Sequence, residues 1–470
     1  MHLIIWAFLK TFHGFLPEGR CFFSVEEKKW KLSNYTVVLK CESSGDAIFH
    51  NSFMGAVARV PGDKFAAIEK FIGKEIREED FQIESLRDLC QNGFFFPCNM
   101  DEQKFVVDVL TKEIKDAGFN MILLPHEDCN FRCEYCYETH ERGKMESDVI
   151  LGLKALAAEK AKEGRNVSVS WFGGEPLLAK DIIYDLSDSF ICSCDKYGVS
   201  YSSSITTNGY FLTREVVANL LKRQVKRFQV TLDGPEAFHD KTRKLAGGGE
   251  TYKTIIYNLE EMCKSDLDFY VTIRVNYNNE SAVIMEDFFS NIAETFAKDS
   301  RFGLVFMPVG KLGGPNDGNL NVCSAAQRLV TETGLYKTYA KVGNIDKLVK
   351  ERLQSHGQVC YAGLESSIVV GVNGTIYKCT VAFDDPLNHV GKLAKDGSMI
   401  IDRRRWDLWV ANNAIDYSEC ASCPLNPSCQ GKSCPKKSIK AKKAVCPLTT
   451  EEYKSKLALV AAIHHDGTLL

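Results

Sequence analysis

NMILLPHEDCNFRCEYC, residues 120–136, runs from an apolar stretch directly into three cysteines, Cys129, Cys133 and Cys136. The opening NMILLP has the short apolar run of a buried strand. Behind it the cysteines are separated by three and then two residues, one thiolate short of the four that a closed tetrahedral site takes. Three readings compete. The cysteines could be unrelated core residues; they could hold a structural zinc, completed by His126 or His140; or they could hold an iron–sulfur cube by three corners, leaving the fourth iron open. The last fits the spacing best.

Working outward, residues 118–310 alternate strand and helix. VSVSWF ends at GGEP, SSSITT ends at Asn208 and Gly209, and RFQVTLDG, FYVTIRVN and FGLVFMP follow, with helical spacing between them. Six βα-type units imply a parallel sheet with right-handed crossovers. The motif residues fall at the carboxyl ends of the strands, where α/β sheets place ligands. The predicted fold class is therefore α/β, a partial (β/α)6 TIM-like barrel.

Residues 34–100 form a separate unit. YTVVLK, AIFHNS and GAVARV read as strands, DKFAAIEKFIG and IESLRDLCQNG as helices, and GFFFP as a further strand, an order that suggests a winged-helix-like domain. Residues 1–33 are read as an N-terminal extension that packs on the body or is disordered, and 311–355 as linking helices. From 356 to 450 cysteine, glycine, proline and lysine dominate, an expectation of little core and of metal staples. Residues 451–470 are read as a tail.

The 470-residue chain has 45% apolar and 25% charged residues and a formal net charge of −3, which leaves no basic footprint for nucleic acid. The start, MHLIIWAFLKTFHGF, lacks a basic leader and is too short to span a bilayer. No other segment reaches spanning length, so the expected localisation is cytoplasmic, without a membrane partner. In a reducing compartment the 18 cysteines point to metal ligation rather than disulfides. Cys21, Cys41, Cys90, Cys98, Cys192, Cys194 and Cys263 sit in helical or strand patterns and are expected to be buried small hydrophobes.

GGEP adds to the cysteine loop. Gly173 and Gly174 present bare backbone at a strand end, and Glu175 sets a carboxylate beside them, an arrangement suited to a ligand carrying a positive amino group. With both motifs in hand, the chain resembles the radical S-adenosylmethionine (AdoMet) superfamily, in the branch with a C-terminal SPASM extension. The resemblance covers residues 118–450. It implies a [4Fe–4S] cluster on Cys129, Cys133 and Cys136, whose open iron binds the amino and carboxylate groups of AdoMet, with Gly173, Gly174 and Glu175 holding the amino group. It further implies cofactor contacts from Tyr135, the aromatic residue before the third cysteine, from Thr231 at a strand end, and from Arg243 twelve positions later.

The C-terminal cysteines look like the seven-cysteine SPASM pattern, with four residues instead of three between Cys429 and Cys434. By resemblance, Cys360, Cys379 and Cys434 hold one auxiliary cluster and Cys420, Cys423, Cys429 and Cys446 another, making three [4Fe–4S] clusters in all. Zinc-ribbon ligation is the alternative. The first set is one ligand short, and Cys323 is a distant candidate for the fourth; an open iron there could accept a substrate thiolate.

The implied function is a maturase of a ribosomally made precursor peptide, abstracting hydrogen with a 5′-deoxyadenosyl radical and forming thioether cross-links from substrate cysteines. No catalytic side chain is singled out. Partners would be the precursor, whose leader adds a strand to the residue 34–100 unit, and a reducing donor of flavodoxin or ferredoxin type. Sulfatase maturation by formylglycine formation is the alternative. It is weakened because Thr380, where that branch carries a general-base aspartate, directly follows Cys379; Asp384 and Asp385 are near but not in place. A non-catalytic iron–sulfur electron carrier or redox sensor is the third reading; it would need neither GGEP nor the Thr231 and Arg243 pair.

Overall fold

The apolar runs between residues 118 and 310 are strands of one sheet. The computed structural model describes residues 4–6, 29–41, 44–342, 357–410, 420 and 422–463. These fall into two units, one within Asp116–Ile345 and Leu364–Trp409, the other within Met1–Lys115, Asp346–Gly363 and Val410–Leu470.

In the first unit six strands run parallel: β1 (Phe119–His126), β2 (Val167–Gly173), β3 (Tyr201–Thr207), β4 (Val225–Leu232), β5 (Tyr270–Tyr277) and β6 (Phe302–Pro308). Their order in the sheet is the order in the chain, β6-β5-β4-β3-β2-β1, and β6 is an edge, so the barrel is open. Helices Ser147–Lys162, Lys180–Tyr197, Arg214–Lys222, Tyr252–Cys263 and Met285–Phe296 fill the crossovers. Each buries one stripe, for example Leu153, Leu156 and Ala157, or Phe289, Ile292 and Phe296. Strand residues such as Trp171, Val271 and Leu304 are fully enclosed, as expected where both faces of a parallel sheet are covered. Helix Ala325–Val342 packs on Met285–Phe296; the second linking helix expected before residue 356 lies outside the described residues.

The sheet continues past β1. β7 (Ser367–Val370) pairs parallel to β1, with Ile368 opposite Met121, and β8 (Thr375–Tyr377), β9 (His389–Leu393) and β10 (Met399–Ile401) follow as an antiparallel meander. The expectation of little core is therefore wrong for residues 364–409. Ile376, Tyr377, Val390, Trp406 and Trp409 are buried there, and Lys378 Nζ lies 4.3 Å from the Trp406 ring centre. The Trp409 indole N–H donates to the Leu387 carbonyl at 2.9 Å. Trp409→Ala should cost about 3–5 kcal/mol through the cavity it leaves and the lost bond. Urea unfolding of iron-free protein measures it, and an unchanged midpoint would mean that metal alone holds this segment.

In the second unit Thr36–Lys40, Ala47–Asn51 and Ala56–Val60 form an antiparallel meander, and Ile4–Trp6 pairs with its last strand. A second sheet joins Ile76–Arg77, Lys29–Leu32 and Phe95–Pro97. Phe49, Phe65, Leu86, Leu89 and Phe94 lie in the core between them and helices Gly62–Ile68 and Glu84–Gln91. Trp30 belongs to this core, so Lys29–Leu32 is part of the unit and not of an extension. The predicted tail carries helix Thr450–Ile463, whose Tyr453 hydroxyl meets the buried His50 Nδ1 at 2.5 Å. Among the described residues no helix is long and apolar enough to cross a membrane.

Candidate active site

The carboxyl ends of β1–β6 surround a cavity of about 280 Å³. Cys129, Cys133 and Cys136 line it from the loop after β1, Gly173 and Gly174 from the end of β2, Thr231 from β4, and Tyr135 and Arg243 from either side of a short ladder. In that ladder Phe131–Cys133 pairs antiparallel with Arg243–Leu245, setting Arg243 opposite Cys133. Residues 110 positions apart in sequence are thus fixed beside each other by backbone.

The glycines are required by space. The register of β1 and β2 slips between Trp171 and Gly173, an irregularity of the kind that bends a strand at a working site. Gly173 has φ 113°, and a Cβ on it would strike the His126 carbonyl. A Cβ on Gly174 would come within 2.5 Å of the Asp128 carbonyl. The cradle is lined by backbone because no side chain fits.

Glu175 differs from the expectation. It is fully buried and does not line the cavity. Its carboxylate accepts from the Leu177 N–H (3.0 Å), the Thr207 hydroxyl (2.7 Å) and the Asn208 N–H (2.8 Å). It ties the end of β2 to the end of β3 and so positions the glycines. Burial pushes its pKa up to about 7 against the pull of these three bonds.

A polar network that sequence reasoning missed lies behind the aromatic residue. The Tyr135 hydroxyl donates to Asp233 Oδ1 (2.8 Å) and accepts from Arg243 Nη1 (2.7 Å) and Asn276 Nδ2 (2.9 Å). Thr242 closes it by donating to Asp233 Oδ2 at 2.9 Å. Burial drives the Tyr135 phenol well above its ordinary value, so it stays a donor to the buried Asp233. Arg274 and Asn276, at the end of β5, also line the cavity, and Arg274 Nε donates to Asn276 Oδ1 at 2.8 Å. Asn208 donates to Asn130 at 2.8 Å, bracing the cysteine loop. The available sequence signal was position: Asp233, Asn276 and Asn208 are polar residues at or near a strand's carboxyl end, whereas Thr242 ends helix Glu236–Thr242.

The donor set fits a cluster better than a single ion. Tetrahedral zinc at about 2.3 Å from each sulfur would bring the sulfurs to about 3.8 Å of one another. Among the described residues the one group of three potential ligand atoms mutually within 4.8 Å is Glu236, Asp240 and Glu250, not the cysteines. At least one pair of the three thiols therefore stands more than 4.8 Å apart. Burial raises the pKa of Cys129 and Cys133 and pushes Cys136 up to about 12. Thiols raised in this way are protonated, and a metal or cluster held by them would have to displace those protons.

The C-terminal cysteines are in two places. Cys420, Cys423, Cys429 and Cys446 gather in the second unit: burial pushes the Cys429 thiol up to about 11, with Cys423, Cys420 and Cys446 adding to the rise. Cys360 and Cys434 belong to the same unit, where the Cys360 N–H donates to the Lys432 carbonyl and Cys434 opens helix Pro435–Ala441. Cys379 is buried in the first unit, its N–H on Asn388 Oδ1. Cys323 lies beside Tyr277. Of the expected core cysteines Cys90 and Cys194 are buried, Cys41, Cys98 and Cys263 partly so, Cys192 is exposed, and Cys21 lies outside the described residues.

Residues 123–287 match the model of the Radical SAM superfamily, and the chain carries a radical SAM domain. Over 327 residues it is 22% identical to the serine-type anaerobic sulfatase-maturating enzyme of Klebsiella aerogenes, covering 65% of this chain and 77% of that one. The cysteine-type enzyme of Clostridium novyi is 25% identical over 201 residues, 41% of this chain and 51% of that one. The chain spans 38% of another relative, the uncharacterized protein sll1766 of Synechocystis, at 27% identity over 31% of its own length. Its fold is shared with the solved structure of anSMEcpe with bound AdoMet, at TM-score 0.56 and 17% identity, over 73% of this chain and 95% of that one.

Proposed function

We propose that the chain is a radical AdoMet enzyme that modifies a peptide by removing hydrogen from an unreactive carbon. The observation that carries this is the convergence, on one cavity, of three cysteine thiols, a side-chain-free glycine cradle and the Tyr135–Arg243 pair. Cys129, Cys133 and Cys136 would hold a [4Fe–4S] cluster, which together with AdoMet would supply one-electron cleavage of the sulfonium and a 5′-deoxyadenosyl radical. The protein's own part is placement. Gly173 and Gly174 offer backbone groups to the methionine amino end, Arg243 is the cation for the carboxylate end, and the Tyr135–Asp233–Asn276 network keeps Arg243 aimed.

The finer reading is thioether formation on a ribosomally made precursor, with the N-terminal unit receiving the leader and a flavodoxin- or ferredoxin-type donor supplying electrons. Joining a cysteine sulfur to carbon releases one hydrogen atom, one proton and one electron. The C-terminal cysteines, Cys360, Cys379 and Cys434 in one set and Cys420, Cys423, Cys429 and Cys446 in the other, are the groups assigned to hold auxiliary clusters that take such an electron. Thr380 in place of a carboxylate supports this over formylglycine formation. Asp385 is committed to the Leu387 N–H at 2.9 Å. Formylglycine formation stays as the second reading because the Klebsiella and Clostridium relatives are named for it.

Anaerobically reconstituted protein, reduced in the presence of AdoMet, should release 5′-deoxyadenosine and methionine; if it does not, the enzymatic reading fails. Mass spectrometry of a cysteine-containing precursor should then show about 2 Da lost per cross-link, one hydrogen each from sulfur and carbon. A formylglycine residue instead would select the second reading.

A further inference from the structure

FYVTIRVN places Arg274 and Asn276 two residues apart on one face of β5, while Val271, Ile273 and Val275 are fully buried on the other. Both polar side chains line the cavity of the three cysteines. Arg274 Nε donates to Asn276 Oδ1 at 2.8 Å, and Asn276 Nδ2 is itself fixed on the Tyr135 hydroxyl at 2.9 Å, so the guanidinium is anchored through Nε. Neither Nη group of Arg274 has a hydrogen-bond or ion-pair partner among the described residues. Nor is either sealed among the buried nitrogens that lack a partner, so both open on the cavity that the residue lines.

The charges nearby are already engaged. Asp233 accepts from Tyr135 at 2.8 Å and Asn276 at 3.4 Å on one oxygen, and from Thr242 at 2.9 Å on the other. Glu138, the one acid among the lining residues, forms no ion pair with Arg274. Of the two guanidiniums at the cavity, Arg243 is the one given above to the carboxylate of AdoMet. AdoMet carries no second anion, and its sulfonium adds a cation. Burial pulls the pKa of Arg274 below its ordinary value, and a cation so placed is unfavourable until an anion joins it. Two free tips on one planar fork match the paired oxygens of a carboxylate better than a single carbonyl oxygen. Met307, Val309 and Leu312 supply apolar wall from the end of β6, the neighbour of β5 in the sheet, and from the chain beyond it.

Resting on the function proposed above, we propose that Arg274 binds a carboxylate of the peptide substrate, either an aspartate or glutamate side chain or the chain's C-terminus. The hydrocarbon stem of that residue would lie on Met307, Val309 and Leu312, while Asn276 keeps the guanidinium aimed. Substrate choice then rests on a negative charge near the modified carbon.

The test uses full-length reconstituted protein, saturated with AdoMet and left unreduced so that no turnover occurs. Calorimetry compares three peptides: acetyl-Gly-Glu-Gly-amide, the uncharged acetyl-Gly-Gln-Gly-amide, and acetyl-Gly-Gln-Gly with a free C-terminal carboxylate. At least one charged peptide should bind about tenfold more tightly than the uncharged one, and which of them does so tells a side-chain from a terminal carboxylate. Arg274→Gln should abolish the preference, and Arg274→Lys, which keeps the charge without the fork, should retain about two- to threefold of it. AdoMet affinity of both variants should stay within about twofold of the wild type, which also shows that they fold. Equal affinity for all three peptides, failure of the charged ones to saturate, a preference that survives Arg274→Gln, or a loss of AdoMet binding in both variants would overturn the assignment. The wild-type sample separates this from the parent reading: if it does not bind AdoMet, the function proposed above fails; if it binds AdoMet without preferring a carboxylate, only the role of Arg274 fails.

Discussion

Cys133→Ala should abolish 5′-deoxyadenosine formation outright and lower the iron content by about four atoms per chain. Cys133 is the middle thiol of the three, and its backbone is paired to Arg243 in the ladder beside the cavity. Removing its sulfur leaves two protein corners for a cube that needs three, and the neighbouring ladder has no cysteine to replace it. If the proposed cluster carries the reaction, no partial activity should survive; the effect is loss of the reaction rather than slowing. The iron that remains is informative in its own right. If Cys420, Cys423, Cys429 and Cys446 hold one cluster and the Cys360, Cys379 and Cys434 set another, about eight irons should persist; about four would mean that one set loads. Iron and sulfide analysis on anaerobically purified protein, with product release under reductant, checks both. Wild-type iron with undiminished product would remove the cluster from this loop.

The strands and the three thiols were legible because each is marked by local chemistry. A β-branched or apolar run bounded by Gly-Gly or Asn-Gly marks a strand and its exit, and cysteines at close spacing in one loop reach the cavity together. What was not legible depends on partners far along the chain. Asn276 is one polar residue among several at strand ends until the fold brings it within 2.9 Å of the Tyr135 hydroxyl, 141 positions away. Lys29–Leu32 alternates charged and apolar residues as a strand should, but its partners lie near residues 76 and 96, and without them it was absorbed into an extension. The β7–β10 meander was discounted because cysteines, glycines and prolines dominate its surroundings. Its core is a few large residues, Tyr377, Trp406 and Trp409, that composition averages away. Glu175 is a further case. The sequence put a carboxylate next to the glycines, which is true, but only the fold could tell which way it faces.

That direction makes Glu175→Ala the second large effect. The substitution would leave the Asn208 and Leu177 N–H groups and the Thr207 hydroxyl without their acceptor in a site where Glu175 has 0% exposure. Each orphaned buried donor costs about 1–3 kcal/mol, so a loss of about 3–5 kcal/mol is expected, read as a lower urea midpoint for iron-free protein. Glu175→Gln keeps one acceptor oxygen, enough for Thr207 and Leu177, but turns an NH2 toward the Asn208 N–H, and should cost about 1–2 kcal/mol. A contact residue would behave otherwise. Were the carboxylate gripping the amino group of AdoMet, both substitutions would weaken AdoMet binding alike and leave the iron-free protein as stable as before. The graded loss, Ala well beyond Gln and present without any cofactor, follows only if the carboxylate is an anchor between the ends of β2 and β3. AdoMet affinity should then fall in step with stability, because the glycine cradle moves when its anchor is gone.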